Sequence, residues 1–278
     1  MAEDTVLMPG VFNGISAVSA HKAGARALYL SGAGISNAMG VPDIALATQN
    51  EFAQVASQIT QVAPVPVLSD ADTGFGESLN VMRTVFEMER AGLAGIHLED
   101  QLMPKRCGHL DGKSLIGRDE MVRKVRAAVD SKRDPSFLIV ARTDARGVEG
   151  LESAIDRAKA YVQAGADAVF PEGLASEAEF EAFRAGVDVP LLANMTEFGK
   201  TPIIPTDRFR ELGYQMVIFP MTAFRVMLRA LDASYAELLQ TGTQAGFIDQ
   251  MRTRAELYER IDYAEYDAAD QSWANDAT

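Results

Sequence analysis

One pattern of apolar and polar positions recurs along the chain. An amphipathic stretch closes near a glycine, and a short apolar run follows that stops at polar residues. His21-Lys22-Ala23-Gly24-Ala25 leads into Ala27-Leu28-Tyr29-Leu30-Ser31, and Ala91-Gly92 into Gly95-Ile96-His97-Leu98-Glu99-Asp100. Ala164-Gly165 leads into Ala168-Val169-Phe170-Pro171-Glu172, and Leu212-Gly213 into Met216-Val217-Ile218-Phe219-Pro220. Each unit reads as a helix closed by glycine, then a buried strand. The apolar runs predict eight strands, at 6–12, 27–31, 66–70, 95–99, 137–142, 168–171, 191–194 and 216–219. Between them Met121, Val122, Val125 and Val129 share one helix face, as do Leu151, Ala154, Ile155, Ala158 and Val162, with charges opposite.

Strands with no polar alternation are parallel strands covered on both faces. Eight of them alternating with helices predict an α/β fold, a closed (β/α)8 barrel of the TIM type. A doubly wound open sheet is the structural alternative, but no Gly-x-Gly-x-x-Gly turn follows a strand. After about residue 222 the strand pattern stops. Residues 223–240 and 249–266 read as helical, the second stretch carrying Leu257, Ile261, Tyr263 and Tyr266. Such a helix packs on its own barrel or is exchanged with a neighbouring subunit. The expected division is a catalytic barrel over 1–240 and a helical extension with a frayed tail over 241–278.

The composition, 47% hydrophobic and 23% charged, is that of a globular protein with a real core. The net charge of −13, from 26 basic and 39 acidic residues, argues against nucleic acid or an anionic membrane as the main partner. The single cysteine cannot form an internal disulfide, which fits a reducing, cytoplasmic setting. The acidic Met1-Ala2-Glu3-Asp4 does not look like a secretory signal, and no apolar run is long enough to span a bilayer.

In such a barrel, chemistry gathers where the strands end. Asp70 and Asp72 lie two apart, so an extended chain points them to one side, and Glu99 ends the next strand. Carboxylates without a His or Cys ligand pattern suit a hard cation, most simply Mg2+. Arg142 is a natural carboxylate clamp, or else a structural ion pair with a rim acid such as Glu172. Asn194 and Thr196 hydrogen-bond a substrate carboxylate or cap the next helix. Tyr29 faces the pocket or is a buried aromatic. His21 and His97 read as structural.

Lys105-Arg106-Cys107-Gly108-His109 holds the one thiol among cations. Cations favour the thiolate, so Cys107 reads as reactive, and glycines at 108, 112 and 117 suggest a segment able to change shape.

Together these stretches resemble the isocitrate lyase/phosphoenolpyruvate mutase superfamily, from about Leu7 to Tyr266. The resemblance rests on Lys105-Arg106-Cys107-Gly108-His109, Asp70-Ala71-Asp72-Thr73-Gly74-Phe75-Gly76, Ala141-Arg142-Thr143-Asp144 and Ala193-Asn194-Met195-Thr196-Glu197-Phe198-Gly199. It implies a swapped C-terminal helix and a homotetramer. It implies Mg2+ held by Asp72, Asp70, Glu99 and Asp43, and a small di- or tricarboxylate substrate met by Ser31, Gly32, Ala33, Cys107, Gly108, Arg142, Glu172, Asn194, Thr196, Arg225 and Arg254. An apolar niche of Phe170, Ile218 and Pro220 completes the implied pocket. The implied reaction is retro-Claisen cleavage of 2-methylisocitrate to pyruvate and succinate. Cys107 is the general acid, tuned by His109 and its other neighbours, and Tyr29 or a metal-held carboxylate such as Glu99 is the base. Ala33 stands where a second glycine is expected, and Ile218 where leucine is. The alternatives are cleavage of 2,3-dimethylmalate, another superfamily reaction such as oxaloacetate decarboxylation or phosphonate hydrolysis, and a non-catalytic binding barrel.

Overall fold

A computed structural model describes residues 5–106, 108 and 112–276. In chain order the first part comprises β1 (Val6–Val11), α1 (Gly14–Lys22), β2 (Leu28–Leu30), α2 (Gly32–Ala38), α3 (Gln49–Thr60), β3 (Val67–Asp70), α4 (Ser78–Arg90) and β4 (Gly95–Glu99). There follow α5 (Arg118–Ser131), β5 (Leu138–Thr143), α6 (Leu151–Gln163), β6 (Ala168–Pro171), α7 (Glu177–Gly186), β7 (Leu192–Asn194), α8 (Thr206–Glu211) and β8 (Met216–Phe219). The C-terminal elements are α9 (Thr222–Thr241), α10 (Arg254–Arg260) and α11 (Tyr263–Asp276).

Local chemistry sets the element ends. Asn13 and Ser16 form a capping box at the start of α1, and Thr48 and Glu51 do so for α3. Gly92, just past α4, takes φ +83° and donates its N–H to the Glu89 carbonyl, which turns the chain into β4. The expected apolar faces turn inward: Met121, Val125 and Ala128 of α5 and Ala154 and Ala158 of α6 are buried.

All eight strands are where the sequence places them, and every pairing is parallel. The order β6-β5-β4-β3-β2-β1-β8-β7 has no strand reversal at its centre, which excludes the doubly wound alternative. A single bridge between Val169 and Leu191, with the Val169 N–H on the Pro190 carbonyl at 3.0 Å, joins the two ends into a nearly closed TIM-type barrel.

Side chains alternate along each strand, so one set packs outward on the helices and the other fills the barrel. The outward set joins the helices in two large clusters. Met8, Tyr29, Leu68, Val140, Ala168, Phe170, Leu192 and Ile218 form the apolar interior. The same inward rows continue upward to Asp70, Glu99, Arg142 and Asn194 at the C-terminal ends, so the interior packing is the floor of the site.

The chain divides into two compact units, Met1–Phe224 and Arg225–Thr278, so most of α9 belongs to the second. Within that second unit the expected single helix over 249–266 is instead broken. A 3-10 turn spans Ala245–Gln250, Thr253 and Glu256 cap α10, and Asp262 at φ +55° separates α10 from α11. The tail is helical to Asp276 rather than frayed. Leu257, Ile261, Tyr263, Tyr266 and Trp273 are exposed in the chain described by itself. No described helix is long and apolar enough to cross a membrane.

Candidate active site

The turn after β3 places the first acids. Asp70 Oδ1 accepts the Asp72 N–H at 2.8 Å, and its Oδ2 accepts the Gly32 N–H at 3.3 Å. Gly32 has no room for a side chain, since a Cβ there would stand 2.7 Å from Asp70 Oδ2. Asp72 sits at φ +45°, a left-handed conformation that Asp tolerates better than most residues. The Glu99 N–H bonds the Asp72 carbonyl at 2.9 Å, tying the end of β4 to this turn.

Lys105 reaches into these acids. Its ammonium pairs with Asp43 and, at 2.8 Å, with Asp72 Oδ1. Burial alone would discharge it, but Asp72, Glu99, Asp70 and Asp43 together hold it above the ordinary lysine range. Burial pushes Asp72 up to about 7 against the pull of Lys105, and pushes Glu99 well above the usual carboxylate range against Arg142 and Lys105. Asp70 resists the same burial, because His97 in its protonated form, Lys105 and Arg142 keep it low. Glu99 Oε1 is buried and accepts no hydrogen bond from a described residue. Four acids gathered around Lys105, with a buried oxygen that accepts no hydrogen bond from a described residue, are a donor set of the type that suits a hard cation. With the ammonium among them, no three of the described acids stand as a ready-made metal cluster.

Beside this cage lies Arg142, 7% exposed. Its guanidinium meets Asp144 at 3.0 and 3.2 Å, Glu99 at 3.3 Å and Glu172 at 3.5 Å. Burial opposes its charge, yet Asp144, Glu99 and Glu172 hold it firmly protonated. The ion-pair reading of Arg142 is the one its geometry shows, and Glu172 is among its partners. Asn194 donates to Glu172 at 3.2 Å, while Thr196 lies just beyond β7. Gly108 rests against the same group, for a Cβ there would lie 2.4 Å from Glu172 Cγ and 2.5 Å from Arg142 Nη2.

Tyr29 is buried, and its hydroxyl lies 2.7 Å from His97 Nε2 with the two rings stacked. Burial and the nearby Asp70 raise the phenol well above its ordinary range, so Tyr29 is a phenol here. Burial lowers His97 to about 4, although Asp70 stands 3.7 Å away, so the imidazole is neutral at pH 7. His97 is the expected structural histidine in burial, but it is also the partner of Tyr29 on the floor of the site.

Ser31 caps α2, accepting the Gly34 N–H at 3.3 Å, with Gly32 and Ala33 in the first turn. Phe170, Ile218 and Pro220 are buried on β6 and at the end of β8. The Phe170 ring lies edge-on to His97 and 5.1 Å below the Arg142 guanidinium carbon. Arg225 and Arg254 lie in the second unit, described by itself. Cys107 and His109 lie outside the described residues.

The structure corrects one electrostatic expectation: the charge of Lys105 is spent on Asp43 and Asp72. Sequence reasoning gave Asp144 no role of its own and passed over Lys113, whose ammonium lies 2.8 Å from Asp144 Oδ1. The signals were present. His97 lies two before Glu99 and Asp144 two after Arg142, each on the same side of an extended chain.

The model for the phosphoenolpyruvate phosphomutase family matches residues 1–239. The chain belongs to that family. Among curated members, it is 55% identical over 267 residues to the 2-methylisocitrate lyase of Aeropyrum pernix, covering 96% of this chain and 86% of that protein. A Corynebacterium glutamicum protein described as probable 2-methylisocitrate lyase 2 is 51% identical, over 97% of this chain and 88% of that one. Among solved family structures, a 2,3-dimethylmalate lyase superposes with a TM-score of 0.92 at 34% identity, covering 97% of this chain and 91% of the other.

Proposed function

We propose that this protein is a carbon–carbon lyase that cleaves 2-methylisocitrate to pyruvate and succinate. The observation that carries the reading is a cage of four acids side by side with the multiply paired Arg142, facing one barrel mouth in a chain so similar to lyases of that name. The acids fit a divalent cation, and we propose Mg2+ held by Asp72, Asp70, Glu99 and Asp43. When bound, Mg2+ supplies positive charge that acidifies the 2-hydroxyl of the substrate and steadies its neighbouring carboxylate.

Cleavage moves one proton off the hydroxyl, and its oxygen lone pair becomes the carbonyl of pyruvate. The electron pair of the broken C–C bond passes to the succinate fragment as an enediolate, which then takes a proton at carbon. Arg142, with the Asn194 and Thr196 amide and hydroxyl, meets the charge of that fragment. For the hydroxyl proton, a carboxylate of the cage suits better than Tyr29. Tyr29 would have to give up its own proton first, which its burial beside Asp70 opposes. Tyr29 instead orients the substrate from below, braced by His97. Cys107 donates the proton to carbon, its acidity set by Arg106 and His109, its remaining basic neighbours in the chain. Ser31, Gly32 and Ala33, at the start of α2, together with Gly108 and Glu172, border the substrate. The resemblance also implies carboxylate contacts for Arg225 and Arg254, which belong to the second unit, described by itself. Phe170, Ile218 and Pro220 receive the 2-methyl group. The enzyme works in the cytoplasm as a homotetramer with its C-terminal helices exchanged, which the exposed apolar residues of α10 and α11 support.

A methyl filling an apolar niche gains about 10–200-fold in kcat/KM. With Mg2+, 2-methylisocitrate is therefore expected to exceed isocitrate. It is also expected to exceed 2,3-dimethylmalate, which has the same 2-methyl group, through the contacts of its third carboxylate, when the three are assayed side by side. Isocitrate in first place, or dimethylmalate ahead by about tenfold, overturns the substrate assignment and keeps the lyase chemistry.

A further inference from the structure

Gly108 lies directly on the Arg142–Glu172 pair, too close for any side chain. Lys113 reaches the same residue. The Lys113 ammonium donates to the Gly108 carbonyl and pairs with Asp144 Oδ1 at 2.8 Å, and its side chain is 5% exposed. Asp144 is anchored in turn. Its N–H bonds Asp100 Oδ1 at 2.9 Å, and Asp100 Oδ2 accepts the Thr143 hydroxyl and the Tyr161 hydroxyl, each at 2.8 Å. One buried carboxylate thus binds a cation of the barrel, Arg142, and a cation of the segment that carries Gly108. The base of that segment is clamped separately, by the Gln101 side chain bonding both the N–H and the carbonyl of Arg106.

We infer that Lys113 is a positioning residue that fastens Gly108, the residue that follows Cys107 in the sequence, over the Arg142–Glu172 pair. The catalytic part of this inference rests on Cys107 being the proton donor. The fastening itself does not. An ion pair that merely stabilised the fold would leave the reactivity of the segment alone. A positioning lysine changes it, because breaking a buried pair leaves Asp144 half-matched and the Gly108 carbonyl without its donor.

Cys107 is the single thiol of the chain, so alkylation by iodoacetamide reports on this segment alone. Losing a nearby cation by itself raises a thiol pKa and slows alkylation, so faster alkylation reads release of the segment. In the ligand-free protein, Lys113→Met is expected to raise the alkylation rate about tenfold, as expected of a local opening, with Lys113→Arg recovering most of the difference. With Mg2+ and 2-methylisocitrate, Lys113→Met should lower kcat about a hundredfold, the size of effect a slight misplacement brings, while KM stays close to that of the unmodified enzyme. Equal alkylation rates in Lys113→Met and the parent overturn the fastening, whether or not the parent turns over. Faster alkylation with unchanged kcat overturns the positioning role. A parent without lyase activity overturns the proposed reaction and leaves the alkylation comparison standing. If Lys113→Met does not fold, Lys113→Gln is read the same way.

Discussion

His97 keeps a buried imidazole neutral between the Tyr29 hydroxyl and Asp70. That neutrality has a pH signature. In the unfolded chain the ring takes a proton near pH 6.5, whereas in the fold it resists until about 4. Between those values the unfolded state binds the extra proton, so His97 lowers stability as the pH falls through that window, and adds nothing above it. The loss is about 3 kcal/mol across the window. Replacing His97 by Gln keeps a hydrogen-bonding partner for Tyr29 and removes the titration. Urea unfolding of His97→Gln should show a shallower loss of stability from pH 6.5 to 4 than the parent. Parallel curves would mean that His97 is charged in the fold. The Cys107 region invites a different kind of reading. Its cations were visible in the sequence, but Lys105 turns to Asp43 and Asp72, and no local pattern states which acid a flexible four-carbon side chain will choose.

The strands and their helices were legible because their signal is local and repeated. Val67-Leu68-Ser69-Asp70 and Gly95-Ile96-His97-Leu98-Glu99 are short apolar runs bounded by turns, and parallel burial on both faces writes that pattern directly. The acids at their ends followed from the same register. The break at Asp262 was not legible, because an apolar helical face continues across it and nothing in the composition of Ile261-Asp262 demands a left-handed residue. Nor was the Lys113–Asp144 tie, which joins residues far apart in the chain. The turn between β2 and α2 offers a test of how tightly two elements are matched. A methyl at Gly32 would meet Asp70 Oδ2 at 2.7 Å and Phe52 Cζ at 3.2 Å. Gly32→Ala should therefore cost about 1–3 kcal/mol of stability, as overpacking does, and should weaken Mg2+ binding by pushing Asp70 off the Asp72 N–H. Thermal unfolding and calorimetric Mg2+ titration measure the two effects. A variant with unchanged melting temperature and unchanged affinity would show that this contact does not fix Asp70.

The whole molecule combines a nearly closed barrel that assembles the mouth from the ends of its strands with a C-terminal unit rich in exposed apolar side chains. Single exposed hydrophobics are ordinary, but Leu257, Tyr258, Ile261, Tyr263, Tyr266 and Trp273 fall within one short stretch, which suits burial against another copy of the chain. A chain ending at about residue 245 should sediment as a smaller assembly than the full one. Unchanged sedimentation would remove these helices from the interface.

The central claim is that the acid cage and Arg142 cleave a carbon–carbon bond with the help of a divalent cation. It is tested most directly by following pyruvate and succinate together by NMR as purified protein acts on 2-methylisocitrate, first with Mg2+ and then with EDTA in excess. The expected result is equimolar pyruvate and succinate with Mg2+, arrest in EDTA, and recovery when Mg2+ is restored. Products that continue to form in EDTA, or no cleavage with Mg2+ present, would contradict it.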